Sequence, residues 1–227
     1  MKKRILNTIA EYVIMLAIAF VVAFFINNVI ITNSFIPTPS MESNLPVGSR
    51  LFGFRLNYIF SKPRRGDVVI FDFGFECKNC GVMYQKNNDN KCTNCNTVNK
   101  NNKKVHFIKR VIGLPGEHIQ IKNDYFADTE LFRTTKFHDP NMKVPCGHVY
   151  INDNRFDEDY INEPMIVNGF YKDVDFQIPD DCYFLLGDNR NNSEDARFWP
   201  NPFINIKEIE AKAYIIYWPL NRIGLIK

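Results

Sequence analysis

From Tyr12 to Thr32 the chain has 21 consecutive residues without a charge, and this run separates a short basic head from a long, mixed remainder. As a helix, 21 residues at about 1.5 Å each span roughly 31 Å, the thickness of a hydrocarbon core. No polar face interrupts Tyr12 to Ile26, as a helix packed in a water-soluble core would need. Lys2, Lys3 and Arg4 precede the run with only Glu11 against them, which predicts a cytoplasmic N-terminus and an extracytoplasmic remainder. A cleaved secretory leader also begins with basic residues. Here, however, Asn27-Asn28 leads into bulky Ile and Phe, not into a small-x-small cleavage site. The expected organisation is residues 1–11 inside, 12–32 as a single-pass anchor in lipid, and 33–227 as one outer domain.

Taking Lys2, Lys3, Arg4 and Glu11 from totals of 28 basic and 25 acidic residues leaves the outer part near neutral. A nucleic-acid partner is not expected, because that needs a basic face. The runs Val68-Val69-Ile70-Phe71, Val105 to Ile112, His118 to Ile121, Tyr183 to Leu186 and Tyr214 to Trp218 are rich in β-branched and aromatic residues. Gly, Pro, Asn and Asp separate them, and no long stretch outside the membrane has helical periodicity. The fold class expected is mainly β, an antiparallel-sheet domain behind one N-terminal transmembrane helix.

Residues 77–104 differ in composition, with nine Asn, seven charged residues and four Cys. They lie between two strand runs and hold few large apolar side chains, so they read as an insert that something must tie down. Cys77-x-x-Cys80 and Cys92-x-x-Cys95 have the paired spacing of a small zinc ribbon, with structural Zn²⁺ held by four thiolates. An oxidising exterior favours two disulfides instead, and both readings stand. Cys146 and Cys182 are either free thiols or a third bridge.

Two residues offer nucleophilic chemistry. Ser40 follows Pro39 eight residues after Thr32 and before the next charge at Glu42, and a serine needs a base to take its proton. None of the four His (106, 118, 138 and 148) lies in a recognisable triad context. A lysine serves as the base only when neutral, which near pH 7.5 costs its charged form about 4 kcal/mol, an amount desolvation can supply. In Val105 to Ile112 the period of two puts Phe107, Lys109 and Val111 on one face. From the pattern alone Lys109 reads more readily as a strand residue with a packed stem and a wet head. A serine after proline is, on the same grounds, an ordinary loop residue.

Four ordered segments change that balance. They are Ile36-Pro37-Thr38-Pro39-Ser40-Met41, Arg65-Gly66-Asp67-Val68-Val69-Ile70-Phe71, Lys109 to Glu117, and Gly187-Asp188-Asn189-Arg190-Asn191-Asn192-Ser193-Glu194-Asp195-Ala196-Arg197. Together, behind a single anchor, they resemble the bacterial type I signal peptidases (leader peptidases), membrane-bound Ser-Lys endopeptidases that remove signal peptides from secreted preproteins. The resemblance covers the anchor and nearly all the outer domain except the Cys-rich insert. It implies Ser40 as nucleophile, Lys109 as general base, and the Thr38 hydroxyl with the Ser40 N–H as oxyanion donors. It implies Ser193 as the hydroxyl orienting the lysine, and Asp188, Asp195 and Arg197 as a supporting charge network. Turn chemistry and a surface ion pair are the alternative reading of the last three. Ile36 and Ile108 match positions lining pockets for small side chains before the cut. No catalytic cofactor is implied.

The chain departs from the family pattern at Ser43-Asn44, where a Pro is usual, at Ala196 for Ser, and at Glu117 for Asp. Two other functions compete. One is a non-catalytic membrane-anchored module that binds a partner through the four-Cys insert, although the full set of Thr38, Ser40, Lys109 and Ser193 argues against a dead relative. The other is a self-cleaving Ser-Lys protease similar to the SOS repressors, which the anchor and neutral charge oppose.

Overall fold

The computed structural model describes residues 2–42, 44–87, 89, 91–98, 103–132, 139, 141–167 and 174–226. Helix α1 (Lys2–Phe25) continues through a π-helical segment, Ile26–Ile30, straight into strand β1 (Ile31–Phe35). The 23 residues Thr8–Ile30 are long and apolar enough to cross a membrane, and none of them is buried by the rest of the chain. Ile31 and Thr32, though uncharged, pair with Phe54 and Gly53, so the sheet begins inside the apolar run.

A first sheet is built from β1, β2 (Arg50–Phe54), β3 (Val68–Glu76), β4 (Met83–Gln85) and β5 (Lys103–Gly113), with the short helix α2 (Asn57–Phe60) after β2. The second sheet begins with β6 (His118–Asp128), β7 (Lys143–Ile151), β8 (Asn154–Arg155), β9 (Met165–Ile166) and β10 (Asp175–Gln177). The chain then returns to the first sheet as β11 (Cys182–Leu186), β12 (Phe203–Asn205), β13 (Ile209–Trp218) and β14 (Gly224–Leu225). The first sheet runs β1-β2-β13-β3-β5-β11-β12, with β14 beside β13 and β4 beside β3. The second runs β10-β6-β7-β8, with β9 beside β7. The pairings between strands are antiparallel, as the alternating and hydrophobic runs predict.

Strand β3 explains its own apolar run. Val69 and Phe71 enter a core shared with Ile119, Val149 and Met165 of the second sheet. Val68 and Ile70 face the other way, into a cluster with Ile36, Met41, Leu45 and Ala211. A strand buried on both faces loses the polar alternation of a half-exposed one. Its neighbour β5 shows the same division: Phe107 packs with the first cluster and Ile108 with the second.

The insert is the extended tip of the β3–β5 hairpin, since Glu76 pairs with Lys103 at its base. It holds a strand, β4, and a miniature core of Cys77, Tyr84 and Cys92 with Phe75 and Cys95 around it. Three of those five residues are cysteines, so this core depends on the sulfurs being held together.

Candidate active site

The loop bearing Ser40 is shaped by its two prolines. Thr38 precedes Pro39 and is extended, at φ −124° and ψ 154°, as a residue before proline must be. Pro39 then opens a single 3₁₀ turn, Pro39–Met41, where its missing N–H costs nothing. Met41 and Leu45 anchor the far side of the turn in the second cluster. Ser40 is thereby fixed at the mouth of a groove, 7% exposed.

Lys109 Nζ lies 2.8 Å from Ser40 Oγ, across 69 residues of sequence. The lysine is 4% exposed, and its amine sits 5.4 Å from the centroid of the Phe107 ring. Burial pushes its pKa down to about 8; the carboxylates of Asp195 and Glu194 oppose that, and Arg197 assists it. The wet-headed alternative is therefore excluded by geometry: the stem and the head are both inside. Thr38 Oγ1 lies 3.4 Å from Ser40 Oγ.

The segment after β11 supports this pair from behind. The Asn189 N–H donates to the Ser40 carbonyl at 3.0 Å, and the Asn189 side chain donates to the Pro39 carbonyl at 3.1 Å. Gly187 lets the two segments meet: a Cβ there would fall 2.1 Å from Ser193 Oγ and 2.5 Å from the Ser40 carbonyl oxygen. Ser193 is buried, and its Oγ has no hydrogen-bond partner among the described residues. It adjoins the site and makes no hydrogen bond to the lysine among the described residues.

The three charged residues expected to form one network form two separate buried pairs. Asp195 accepts from Arg197 at 2.8 Å on both oxygens and from the Gly187 N–H at 3.0 Å. Those bonds hold its carboxyl below the usual range despite complete burial. Asp188 is bound not by Arg197 but by Arg110, through two bonds of 2.7 Å. Arg110 also donates to the Gly66 carbonyl and stacks on Tyr160, its guanidinium carbon 4.2 Å from the ring centroid. A third pair, Arg190 with Glu158 at 2.5 Å, holds the Gly187 carbonyl through Arg190 Nε. Arg110, Asn189, Arg190 and Gly187 all stand in the four family-like segments, and the pairings Arg110–Asp188, Asn189–Ser40 and Arg190–Glu158 each join residues far apart in sequence.

Asn44, which departs from the family pattern, donates to Asp188 Oδ2 at 2.7 Å and so ties the serine loop to the same carboxylate. Ser43 and His138 lie outside the described residues. The groove in front of Ser40 holds about 360 Å³ and is lined by Ile36, Thr38, Phe107, Ile108 and Lys109 among others. One edge of β5 from Lys103 to Lys109 has no strand beside it among the described residues, because β11 joins only at Arg110.

In the insert, Cys77 and Cys95 lie 3.6 Å apart at sulfur, as do Cys80 and Cys92. All four sulfurs lie within 4.8 Å of one another. A disulfide needs about 2.05 Å. Four thiolates at about 2.3 Å around one tetrahedral ion stand roughly 3.8 Å apart, which the cluster fits. The two halves are near copies: Gly81 N–H donates to the Cys77 carbonyl and Asn96 N–H to the Cys92 carbonyl, with positive φ at both turn residues. The nearby Thr97 hydroxyl pulls the Cys95 thiol down to about 5, which favours a thiolate ligand. Cys146 and Cys182 are free thiols.

The family model for signal peptidases, peptidase S26, matches residues 9–218. A probable signal peptidase I-2 of Synechocystis is 28% identical over 97% of this chain and 78% of its own length. A signal peptidase I of Leptolyngbya laminosa is 32% identical over 84% of this chain and 70% of its own. A crystal structure of a signal peptidase I from Enterococcus faecalis covers 67% of this chain and 97% of that one at 24% identity, with a TM-score of 0.35.

Proposed function

The chain belongs to the peptidase S26 family of signal peptidases, and we propose the roles its own residues take in removing a signal peptide. As a signal peptidase it is a hydrolase of secreted preproteins that needs no catalytic cofactor. One observation carries the mechanism, a buried amine 2.8 Å from a serine hydroxyl.

In this mechanism the neutral form of Lys109, made accessible because burial lowers its pKa to about 8, takes the proton of Ser40 as Oγ attacks the scissile carbonyl. The Ser40 N–H and Thr38 hydroxyl receive the negative oxygen. The lysine then gives its proton to the leaving nitrogen, so the C–N bond breaks and an ester with Ser40 remains. A water deprotonated by Lys109 hydrolyses that ester and regenerates the hydroxyl. Ser193 offers its unengaged hydroxyl to an amine N–H while the lone pair faces Ser40. Asp195 with Arg197, and Asp188 with Arg110, hold the backbone on which both catalytic residues stand.

The substrate binds as an added strand along the free edge of β5, beside the extended segment Ile36-Pro37-Thr38. Ile36 and Ile108 pack side by side in one cluster and line shallow space there, which suits small side chains before the cut. The anchor crosses the membrane once, with the N-terminus cytoplasmic and residues 33–227 outside, so that membrane-held substrate meets the site at high effective concentration. The four insert cysteines, outside the lining of the catalytic groove, would hold one Zn²⁺, which would supply folding energy to a polar segment. Incubation with a model preprotein whose cleavage site has small residues, mapped by mass, tests this reading. Release of the mature chain at that site supports it, and cleavage that persists in Ser40→Ala overturns it.

A further inference from the structure

A second cavity of about 460 Å³ lies beside the catalytic groove, and Met83 and Glu194 line both. One wall comes from β4 of the insert. The other comes from Trp199, Asn201 and Phe203 of the core. The walls are tied together: Gln85 donates to the Asn201 carbonyl at 2.8 Å, and the Asn201 N–H donates back to the Gln85 side-chain oxygen at 2.9 Å. Trp199 is 2% exposed, and its indole N–H has no acceptor among the described residues. Glu194 is exposed and has no hydrogen-bond or ion-pair partner among them. Glu208, the other carboxylate of the cavity, accepts from the Asn205 N–H at its own helix cap.

We infer that this cavity is the subsite for the polypeptide segment beyond the cut, and that the insert exists in part to build it. The inference rests on the proposed Ser-Lys reaction. Ile36 and Ile108, which face the residues before the cut, share one cluster. Phe107 and Lys109 point to the opposite face of β5, where Phe107 stacks on Phe73 at 4.2 Å and approaches Trp199 at 6.3 Å. The leaving nitrogen must lie on that face, because Lys109 has to hand it a proton. From there the segment after the cut runs over Phe107, past Met83 and Glu194, and into the second cavity. Its first residue becomes a cationic amine on release, and Glu194 is the carboxylate left unpaired at that passage. Beyond it, an aromatic and apolar floor takes a side chain of the mature segment.

Two peptides with the same sequence before the cut test this, one ending a single residue past it and the other about six residues past it. With the full chain in detergent, kcat/KM is expected to be about tenfold higher for the longer peptide, and that ratio falls toward one in Met83→Ala and in Glu194→Gln. A ratio near one in the unmodified chain, or an undiminished ratio in both variants, overturns the subsite. Failure to cleave either peptide sinks the Ser-Lys reading itself, and the subsite with it. A second readout needs no cleavage. In Ser40→Ala carrying Trp218→Phe, Trp199 is the remaining tryptophan of the two. Its emission is expected to shift saturably with a free peptide corresponding to the segment beyond the cut. An unchanged emission overturns the proposal.

Discussion

The N–H of Asn189 holds the carbonyl of Ser40 at 3.0 Å. The segment that carries Ser193 and Asp195 therefore grips the peptide unit of the nucleophile directly, and the serine and lysine are positioned by one rigid assembly. Removing either reactive group should leave that assembly in place. Ser40→Ala and Lys109→Ala are each expected to lower kcat on a model preprotein by about 10³-fold or more. Far-ultraviolet circular dichroism should be unchanged, and full processing by either variant would refute the dyad.

The buried lysine sets a pH dependence with a definite sign. Activity is expected to rise with pH through about 8 and then level off, because Lys109 acts only when neutral. Stability depends on the same group. In the unfolded chain it keeps its proton to about 10.4, so between the folded and unfolded pKa values the unfolded state binds more protons and stability climbs with pH. Below about 8 the cost is fully present. Lys109→Met, similar in shape and without the charge, is expected to stabilise the fold at neutral pH by about 1–3 kcal/mol, measured by urea unfolding. A destabilised Lys109→Met would count against a desolvated lysine.

Gly187→Ala tests the close approach. Its Cβ would stand 2.1 Å from Ser193 Oγ and 2.5 Å from the Ser40 carbonyl, so the serine loop must shift. A displacement of this kind is expected to cost about 10²-fold in kcat. Ser193→Ala, which only removes a hydroxyl, should lower kcat by about tenfold or more with KM little changed. Equal KM effects in both variants would point to lost binding instead.

Asp188→Asn removes the charge that faces the Nε and Nη2 edge of Arg110. An uncompensated buried guanidinium is expected to cost about 3–5 kcal/mol. Thermal unfolding should report it, with the double variant Arg110→Met/Asp188→Leu recovering part of the loss. No recovery would mean that the pair matters for more than mutual neutralisation.

Metal content decides the insert. Protein purified without reductant should carry about one zinc per chain, and a chelator should release it while four more thiols become titratable. A chain without metal whose four insert thiols are missing would instead contain two bridges. Loss of zinc is also expected to expose Tyr84, which packs against Cys77 and Cys92, and its fluorescence quenching by iodide should rise.

Much of the site was legible because its groups lie in short local segments. The spacing of the four cysteines carries its geometry in a few neighbouring residues, whereas Pro39-Ser40 and the alternation around Lys109 read as ordinary loop and strand until the four ordered segments are taken together. The hidden part is long-range. Nothing near Asp188 announces that its partner is Arg110, and the pairing became visible only when β5 and β11 met in the sheet. Few large apolar side chains in the insert predict that something ties it down, and four sulfurs converge there around Tyr84, beside Phe75 of β3. Likewise Met83 is an unremarked residue in a polar stretch until β4 folds back beside β3 and brings it over the groove.

The helix passes into β1 without a linker, and the Arg55 N–H closes on the Ile30 carbonyl at that junction. A chain with no slack there turns altitude above the lipid into a built-in dimension of the enzyme. Under the function proposed above, a preprotein is cut where its own membrane segment ends at the matching height.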